Sequence, residues 1–213
     1  MSFYGGLVSR SDTLLGLQPC DVSQLNLLRL FPEETDTRPV FSTVLSKTSA
    51  LDGNAIEALK SDMDVNVYGL MAMAQAYAPI LKKNSAPEAD ERTAFVQINS
   101  VASFRCSGKD VATYSATKAA AYSITQALAQ ELEPHHVCVL SVHPGPVRTE
   151  MLPERLLALA EAPCAVAEEV IRALADGTPL HVFPDPHAKQ LSKIMQPFLT
   201  KVVEGRDVYN RGE

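Results

Sequence analysis

The stretch FVQINSVASFRCSGKDVATYSATK, from Phe95 to Lys118, decides the fold of this chain. It starts as a short apolar run that is typical of a buried parallel strand, and Asn99 and Ser100 mark the turn that follows. Tyr114 and Lys118 come later, with three residues between them, in an Ala-rich segment that favours a helix. Both side chains then leave the same helix face. The stretch therefore predicts a strand-to-helix unit with Ser100 at the mouth of the strand.

This spacing puts a phenol beside an ammonium group. An unperturbed phenol has a pKa near ~10, and a neighbouring cation favours its ionised form, so we expect Lys118 to lower the pKa of Tyr114. Tyr114 would act as general acid or base, and Ser100 would donate a hydrogen bond to the substrate oxygen that gains charge.

Two motifs together resemble a known family. Ser100 with Tyr114-x-x-x-Lys118, followed by the later PGPVRT at 144–149, is similar to the short-chain dehydrogenase/reductases, which transfer hydride between a nicotinamide cofactor and a carbonyl or alcohol. The resemblance runs from about Pro39 to the C-terminus. It implies that Asn66 completes a proton relay with the other three residues.

The same resemblance implies a residual nicotinamide half-site at Gly145, Val147 and Thr149, where Thr149 would contact the carboxamide. Thr149 has a second interpretation of equal weight, as the N-cap of a following helix, because hydroxyl side chains are preferred there.

The fold class that we predict is α/β: a Rossmann-like, doubly wound parallel sheet, N-terminally truncated by one strand-helix-strand unit. The 213 residues suit one domain, 1–213, with a degenerate part at 1–38 and a catalytic half at 39–213. Helices are expected over 63–81, from Ala112 to Leu132 and over 166–175. Strands are expected at about 40–45, 136–142 and 179–183, and a substrate lid or surface helix at 153–160.

The N-terminal part departs from the family pattern. Gly5-Gly6 is the only candidate for the glycine-rich turn that receives a pyrophosphate, and VLS at 44–46 stands where the family carries small residues near the cofactor. The half of the site for adenosine and pyrophosphate therefore looks dismantled. A rebuilt loop or an incomplete sequence would also explain these departures from the family pattern. Loss of the leading strands would leave an exposed sheet edge as a partner site.

Composition excludes several other classes. The net charge of −6 argues against a nucleic-acid-binding surface, and no apolar run approaches the ~20 residues that span a membrane. No secretory signal opens the sequence. The four cysteines have no paired spacing and the five histidines form no ligand cluster, so we expect no metal site and a cytoplasmic protein with reduced thiols.

The leading functional hypothesis is an enzyme that uses Ser100, Tyr114, Lys118 and Asn66 on a hydroxyl or carbonyl small molecule without a cofactor, in dehydration, isomerisation, aldol-type or cyclisation chemistry. One alternative is an NAD(P)-dependent oxidoreductase whose phosphate site is rearranged or supplied by a partner chain. Another is a non-catalytic subunit of a hetero-oligomer. In the family, the helix of Tyr114 and the preceding helix often form a dimer interface, so self-association is implied.

Overall fold

The computed structural model describes residues 43–85, 93–177 and 180–205, and the backbone of two short paired segments near the N-terminus. Those segments are β1 (Leu7–Val8) and β2 (Arg38–Pro39), which pair antiparallel. The Gly5-Gly6 candidate and most of the degenerate part lie outside the described residues.

The sheet that carries the site has three parallel strands. These are β3 (Ala94–Ile98), β4 (Cys138–Val142) and β5 (His181–Val182), in the order β3-β4-β5. Ala94 pairs with Cys138 and Ile98 with Val142, so β3 and β4 end at the same edge. Their carboxyl ends therefore deliver the residues that follow both strands to one place.

Helices connect and cover these strands. They are α1 (Ala55–Met63), a π-helical segment (Asp64–Tyr68), α2 (Gly69–Asn84), α3 (Ala112–Leu132), α4 (Pro163–Asp176) and α5 (Pro186–Phe198). A 3₁₀ helix at Glu154–Leu159 occupies the segment predicted as a lid. Gly177, with φ 65°, ends α4 in the left-handed conformation that glycine adopts without a Cβ clash.

The two faces of the sheet form two apolar cores, as the alternation of side chains along a strand requires. Phe95 and Val139 face one core, which α2 and α3 complete with residues such as Leu70 and Ala121. Leu140 and Val142 face the other core with Val166, Val170 and Ala173 of α4. Helices on both faces of a parallel sheet confirm the predicted Rossmann-like α/β class.

One predicted strand is not formed where the structure can be read. Residues 43–45 of the strand expected at 40–45 have no regular secondary structure, and 40–42 lie outside the described residues. Asn66 explains the local conformation, because its amide binds the segment: the Oδ1 atom accepts from Thr43 Oγ1 (2.8 Å) and Val44 N (3.0 Å), and Nδ2 donates to Val44 O (2.9 Å). These side-chain bonds take the place of ladder bonds at Val44.

Candidate active site

The turn after β3 places Ser100 at the mouth of the sheet. Backbone bonds continue the pairing beyond the strands, from Asn99 N to Val142 O (2.8 Å) and from Val101 N to Pro144 O (3.0 Å). The Ser100 hydroxyl oxygen accepts from Ala102 N (3.1 Å), which caps a short 3₁₀ turn. Its own proton is therefore available to a group in front of the strand ends.

Tyr114 lies in the first turn of α3 and meets Ser100 there. The Ser100 side chain acts on the phenol as a hydrogen-bonding neighbour, and both side chains line the same cavity. Burial raises the pKa of Tyr114 above its ordinary value, the hydrogen bond from Ser100 opposes that rise, and the buried carboxylate of Asp62 adds to it. The expected lowering of this pKa by Lys118 is therefore wrong, because burial dominates.

Lys118 lies one turn further along α3 and is almost completely buried, with 2% of its surface exposed. Its Nζ atom lies 5.8 Å from the centre of the Tyr114 ring and donates to the Ile98 carbonyl oxygen (2.9 Å). Burial lowers the pKa of Lys118 to about 8. The ammonium is thus held beside the phenol ring by the last residue of β3.

Asn66 does not join these three side chains directly. It lies in the π-helical segment and is buried, and its Nδ2 atom donates to Thr117 Oγ1 (2.9 Å), next to Lys118 in α3. Through this bond and those to Thr43 and Val44, Asn66 ties α3 to the segment in front of it. Its role in a proton relay stays a prediction.

A cavity of about 900 Å³ opens in front of Ser100, Tyr114 and Lys118. The three predicted half-site residues, Gly145, Val147 and Thr149, also line this cavity. Thr149 lies in a turn rather than at the start of a helix, so the alternative role as a helix N-cap is wrong. Six of the seven predicted site residues therefore line one cavity. Asn66 is not among the residues that line it.

Val147 is placed by an isolated bridge to Glu161. Arg148 N donates to Glu161 O (2.9 Å) and Glu161 N donates to Pro146 O (2.9 Å). In such a parallel bridge the N–H and C=O of Val147 itself point to the opposite side. They are the kind of paired donor and acceptor that a carboxamide requires.

Asp185 was missed by sequence reasoning. One oxygen of its carboxylate accepts from Ala188 N (2.9 Å) and caps α5, while the other accepts from Gly145 N (2.6 Å). A Cβ on Gly145 would lie 2.8 Å from Asp185 Oδ1 and 3.1 Å from His187 Cδ2, so only glycine fits this turn. The sequence Asp-Pro at 185–186 predicts the cap, but no local signal predicts the contact with Gly145.

The far wall of the cavity is apolar. Leu156 and Leu159, from the segment predicted as a lid at 153–160, line this wall together with Leu152, Val166, Leu191 and Ile194. A salt bridge between Arg155 and Asp110 (3.3 Å) joins this segment to the loop before α3. The cavity thus combines one polar corner, at Ser100 and Tyr114, with an apolar wall.

No metal site and no membrane helix are found among the residues described. Within these ranges no group of three or more His, Cys, Asp or Glu side chains could hold a metal ion. The helices of the same part of the chain are too short or too polar to cross a bilayer.

Comparison with known proteins identifies relatives over this region. The profile of the short chain dehydrogenase family matches residues 43–158. An uncharacterized oxidoreductase of Staphylococcus saprophyticus is 34% identical over 112 residues, which is 53% of this chain and 45% of the relative. One from Staphylococcus epidermidis is 36% identical over 106 residues, covering 50% of this chain and 43% of the relative. The chain thus spans about half the length of these curated relatives.

Comparison with solved structures also identifies proteins of similar fold. A short chain dehydrogenase from Burkholderia cenocepacia, crystallised in complex with NADP, is 27% identical and aligns with a TM-score of 0.63 over 75% of this chain and 65% of its own. The bulky-bulky ketone specific alcohol dehydrogenase from Comamonas testosteroni shares the fold at 22% identity, with a TM-score of 0.57 over 79% of this chain and 62% of its own.

These findings correct the expected absence of a cofactor. The sequence analysis predicted that no dinucleotide is used, because the N-terminal glycine motif is missing. The family match and the NADP complex of a similar structure argue against that prediction, and they leave chemistry without redox turnover unsupported. The prediction failed because it rested on the missing N-terminal glycines and on the residues at 44–46, whereas Gly145, Val147 and Thr149 come from a later part of the chain and line the cavity.

Proposed function

Since this chain belongs to the short chain dehydrogenase family, we propose that it is a nicotinamide-dependent oxidoreductase that interconverts an alcohol and a carbonyl compound. The observation that carries the proposal is the convergence of Ser100 and Tyr114 on one cavity, with the Lys118 ammonium close to the phenol ring. The activity and substrates of the whole protein are part of this proposal, because the chain covers only about half of its curated relatives.

The residues in the cavity fit the nicotinamide half of NAD(P). When bound, the cofactor would supply or accept the hydride. The backbone N–H and C=O of Val147 and the Thr149 hydroxyl would hold the carboxamide. Lys118 would donate to hydroxyl groups of the adjoining ribose, for which an ammonium with three donors is suited.

Tyr114 acts as the general acid in carbonyl reduction. Its raised pKa keeps the phenol protonated at neutral pH, so that its O–H can deliver a proton to the carbonyl oxygen as that oxygen gains charge. Ser100 donates a second hydrogen bond to the same oxygen and fixes its position. In alcohol oxidation the proton transfer runs in reverse: the Tyr114 phenolate accepts the hydroxyl proton of the alcohol, while Ser100 donates to the same oxygen.

The substrate that the cavity favours is apolar around its reacting carbon. The leucines at 152, 156 and 159 line that side and would bury an alkyl or aromatic group, at about 25 cal/mol for each Å² removed from water. A hydroxyl or ketone oxygen would then be the only polar atom that must reach the corner at Ser100 and Tyr114.

Self-association is a further part of the proposal. Tyr68, at the end of the π-helical segment, and Met71, at the start of α2, are large side chains with 58% and 42% of their surface exposed. In the family, this helix and α3 often face a second subunit. We expect a homo-oligomer, or a hetero-oligomer with a related chain.

The test is a pair of tyrosine substitutions. The rate of NADPH or NADH oxidation is measured with a panel of apolar ketones, and alcohol oxidation is measured with the matching alcohols. Tyr114→Phe should lower kcat by about a hundred- to ten thousandfold, the usual contribution of a general acid. Tyr68→Phe is the matched control, because Tyr68 is exposed outside the cavity, and it should keep the wild-type rate. A Tyr114→Phe protein with the wild-type rate would refute the assignment.

A further inference from the structure

His143 is a completely buried imidazole behind the active site. It follows β4 directly, has 0% of its surface exposed and is enclosed by aromatic rings. The ring centres lie 4.5 Å from Phe104, 5.3 Å from Phe183 and 4.9 Å from Tyr122. Burial lowers the pKa of His143 to about 3, and the nearby His181 and Lys118 also disfavour a second positive charge. The imidazole is therefore neutral.

The hydrogen bonds of this ring define its tautomer. Nδ1 lies 3.2 Å from the Ser100 carbonyl oxygen, which can only accept, so Nδ1 carries the proton. Nε2 is then an acceptor and receives the hydroxyl proton of Ser141 at 2.8 Å. Ser141 Oγ in turn accepts from Asn99 Nδ2 (2.8 Å), which also donates to Thr125 Oγ1 (3.2 Å). Every bond in this chain has one possible direction.

The chain of bonds ends at the peptide that carries Ser100. It begins in α3 at Thr125, passes through the ends of β3 and β4, and leads through His143 to the Ser100 carbonyl oxygen. Because the Ser100 hydroxyl and the Tyr114 phenol interact and line the same cavity, a rotation of this peptide would move the hydroxyl away from the phenol. A displacement of about 1 Å at such a site can reduce a rate by about a hundredfold.

We propose that His143 is a positioning residue, whose Nδ1–H fixes the Ser100 peptide and so aims the Ser100 hydroxyl at Tyr114 and at the substrate oxygen. This inference rests on the proposed function for its effect on rate, but the hydrogen-bonded network itself can be tested without turnover.

The variants are chosen to separate hydrogen bonding from packing. His143→Asn keeps an N–H donor near the position of Nδ1, whereas His143→Leu fills part of the space without a donor. Phe183→Leu is the control for packing, because Phe183 stacks on His143 (5.3 Å) and carries no hydrogen bond to the network.

The kinetic readout compares kcat with KM. His143→Leu should lower kcat by roughly ten- to hundredfold and leave KM for the cofactor unchanged. His143→Asn should restore most of that loss, and Phe183→Leu should keep the wild-type kcat even where it lowers the melting temperature. Wild-type kcat in His143→Leu, or equal losses in the Leu and Asn variants, would overturn the proposal.

A second readout needs no activity. In protein labelled with ¹³C at Tyr Cζ, the Tyr114 resonance is assigned from its loss in Tyr114→Phe and compared at pH 7 with that of Ser100→Ala. His143→Leu should move the resonance toward its position in Ser100→Ala, and His143→Asn should not. An inactive wild type would reject the proposed function alone, whereas an unmoved resonance in His143→Leu would reject the positioning role alone.

Discussion

Lys118 is buried to 98% and yet carries a titratable amine in the middle of the proposed site. The ammonium donates a hydrogen bond to the Ile98 carbonyl oxygen, and burial lowers its pKa. A charge in such a place is held by the fold at the expense of stability. Such a loss of stability is expected for a group that acts on a ligand.

Lys118→Met should therefore stabilise the protein while it removes activity. Relief of the burial penalty, less the lost hydrogen bond, should add about 2 kcal/mol to the free energy of unfolding at pH 7. The folded pKa, about 8, lies below the ordinary 10.5, so the unfolded state binds more protons between these values and wild-type stability rises with pH there. Urea unfolding from pH 7 to 10 should show the gap between variant and wild type closing. A gap that is constant or that widens would contradict a lowered pKa.

Substitution of Asp62 tests the role of Tyr114 as the general acid. Its carboxylate is fully buried, accepts from Ser46 Oγ (2.8 Å) and raises the pKa of Tyr114. Removing a negative charge favours the phenolate, so Asp62→Asn should lower the pKa of Tyr114. In the pH profile of kcat for alcohol oxidation, the limb on which the phenol must ionise should move to lower pH. A limb that stays in place or moves upward would show that Asp62 does not act on Tyr114.

Among single residues, the sequence predicted those whose positions follow from local spacing along the chain. Ser100, Tyr114 and Lys118 follow from one stretch that runs from a strand end into a helix, and the structure brings them together. His143 and Asp185 act on residues 43 and 40 positions away, through contacts that only the folded sheet creates. The five histidines were considered only as possible metal ligands, and their positions in the sequence give no sign of the bond between His143 and Ser100.

Among the secondary-structure elements, the helical segment that contains Asn66 was predicted correctly from the spacing of its apolar residues. An amphipathic pattern predicted a helix at 63–81, and the structure has α1, the π-helical segment and α2 in continuous succession from Ala55 to Asn84. The π-helical turn that holds Asn66 could not be predicted, because the bulge depends on what Asn66 binds. Such bulges often mark functional positions.

The strand predicted at 40–45 is not formed in the described part of that segment, residues 43–45. Its apolar and β-branched residues, among them Val40, Phe41 and Val44, favour a strand. In the described part of this segment, however, Val44 is bonded on both sides by the Asn66 amide. A side chain more than twenty residues away overrides the local propensity.

Asp185 links the start of α5 to the turn at Gly145, and this link can be measured. Asp185→Ala loses both the cap and the bond to Gly145 N, and should lower the free energy of unfolding by about 2–3 kcal/mol. Asp185→Ser keeps a hydroxyl cap for Ala188 N but is too short to reach Gly145. Equilibrium unfolding in urea should rank wild type above Ser and Ser above Ala. Equal stability of Ser and wild type would mean that the bond to Gly145 contributes nothing.

For the whole molecule, the order of apolar and small residues was sufficient to predict a parallel sheet with helices on both faces. The cavity in front of that sheet was predicted from the resemblance and formed by residues that follow β3 and β4. The cofactor could not be judged correctly from the sequence, because the argument took a missing motif in one segment as evidence about the other half of the site. Family membership over residues 43–158 carries more weight.

The measurement that tests the account most directly is titration of the full chain with NADPH and NADH by calorimetry, with Lys118→Met as the comparison. We expect saturable binding of at least one dinucleotide at micromolar concentrations. Loss of the Lys118 ammonium should weaken that binding by about tenfold or more, because a hydrogen bond from a charged donor disappears. No heat of binding from either dinucleotide up to millimolar concentration would contradict the proposal that this cavity holds a nicotinamide cofactor.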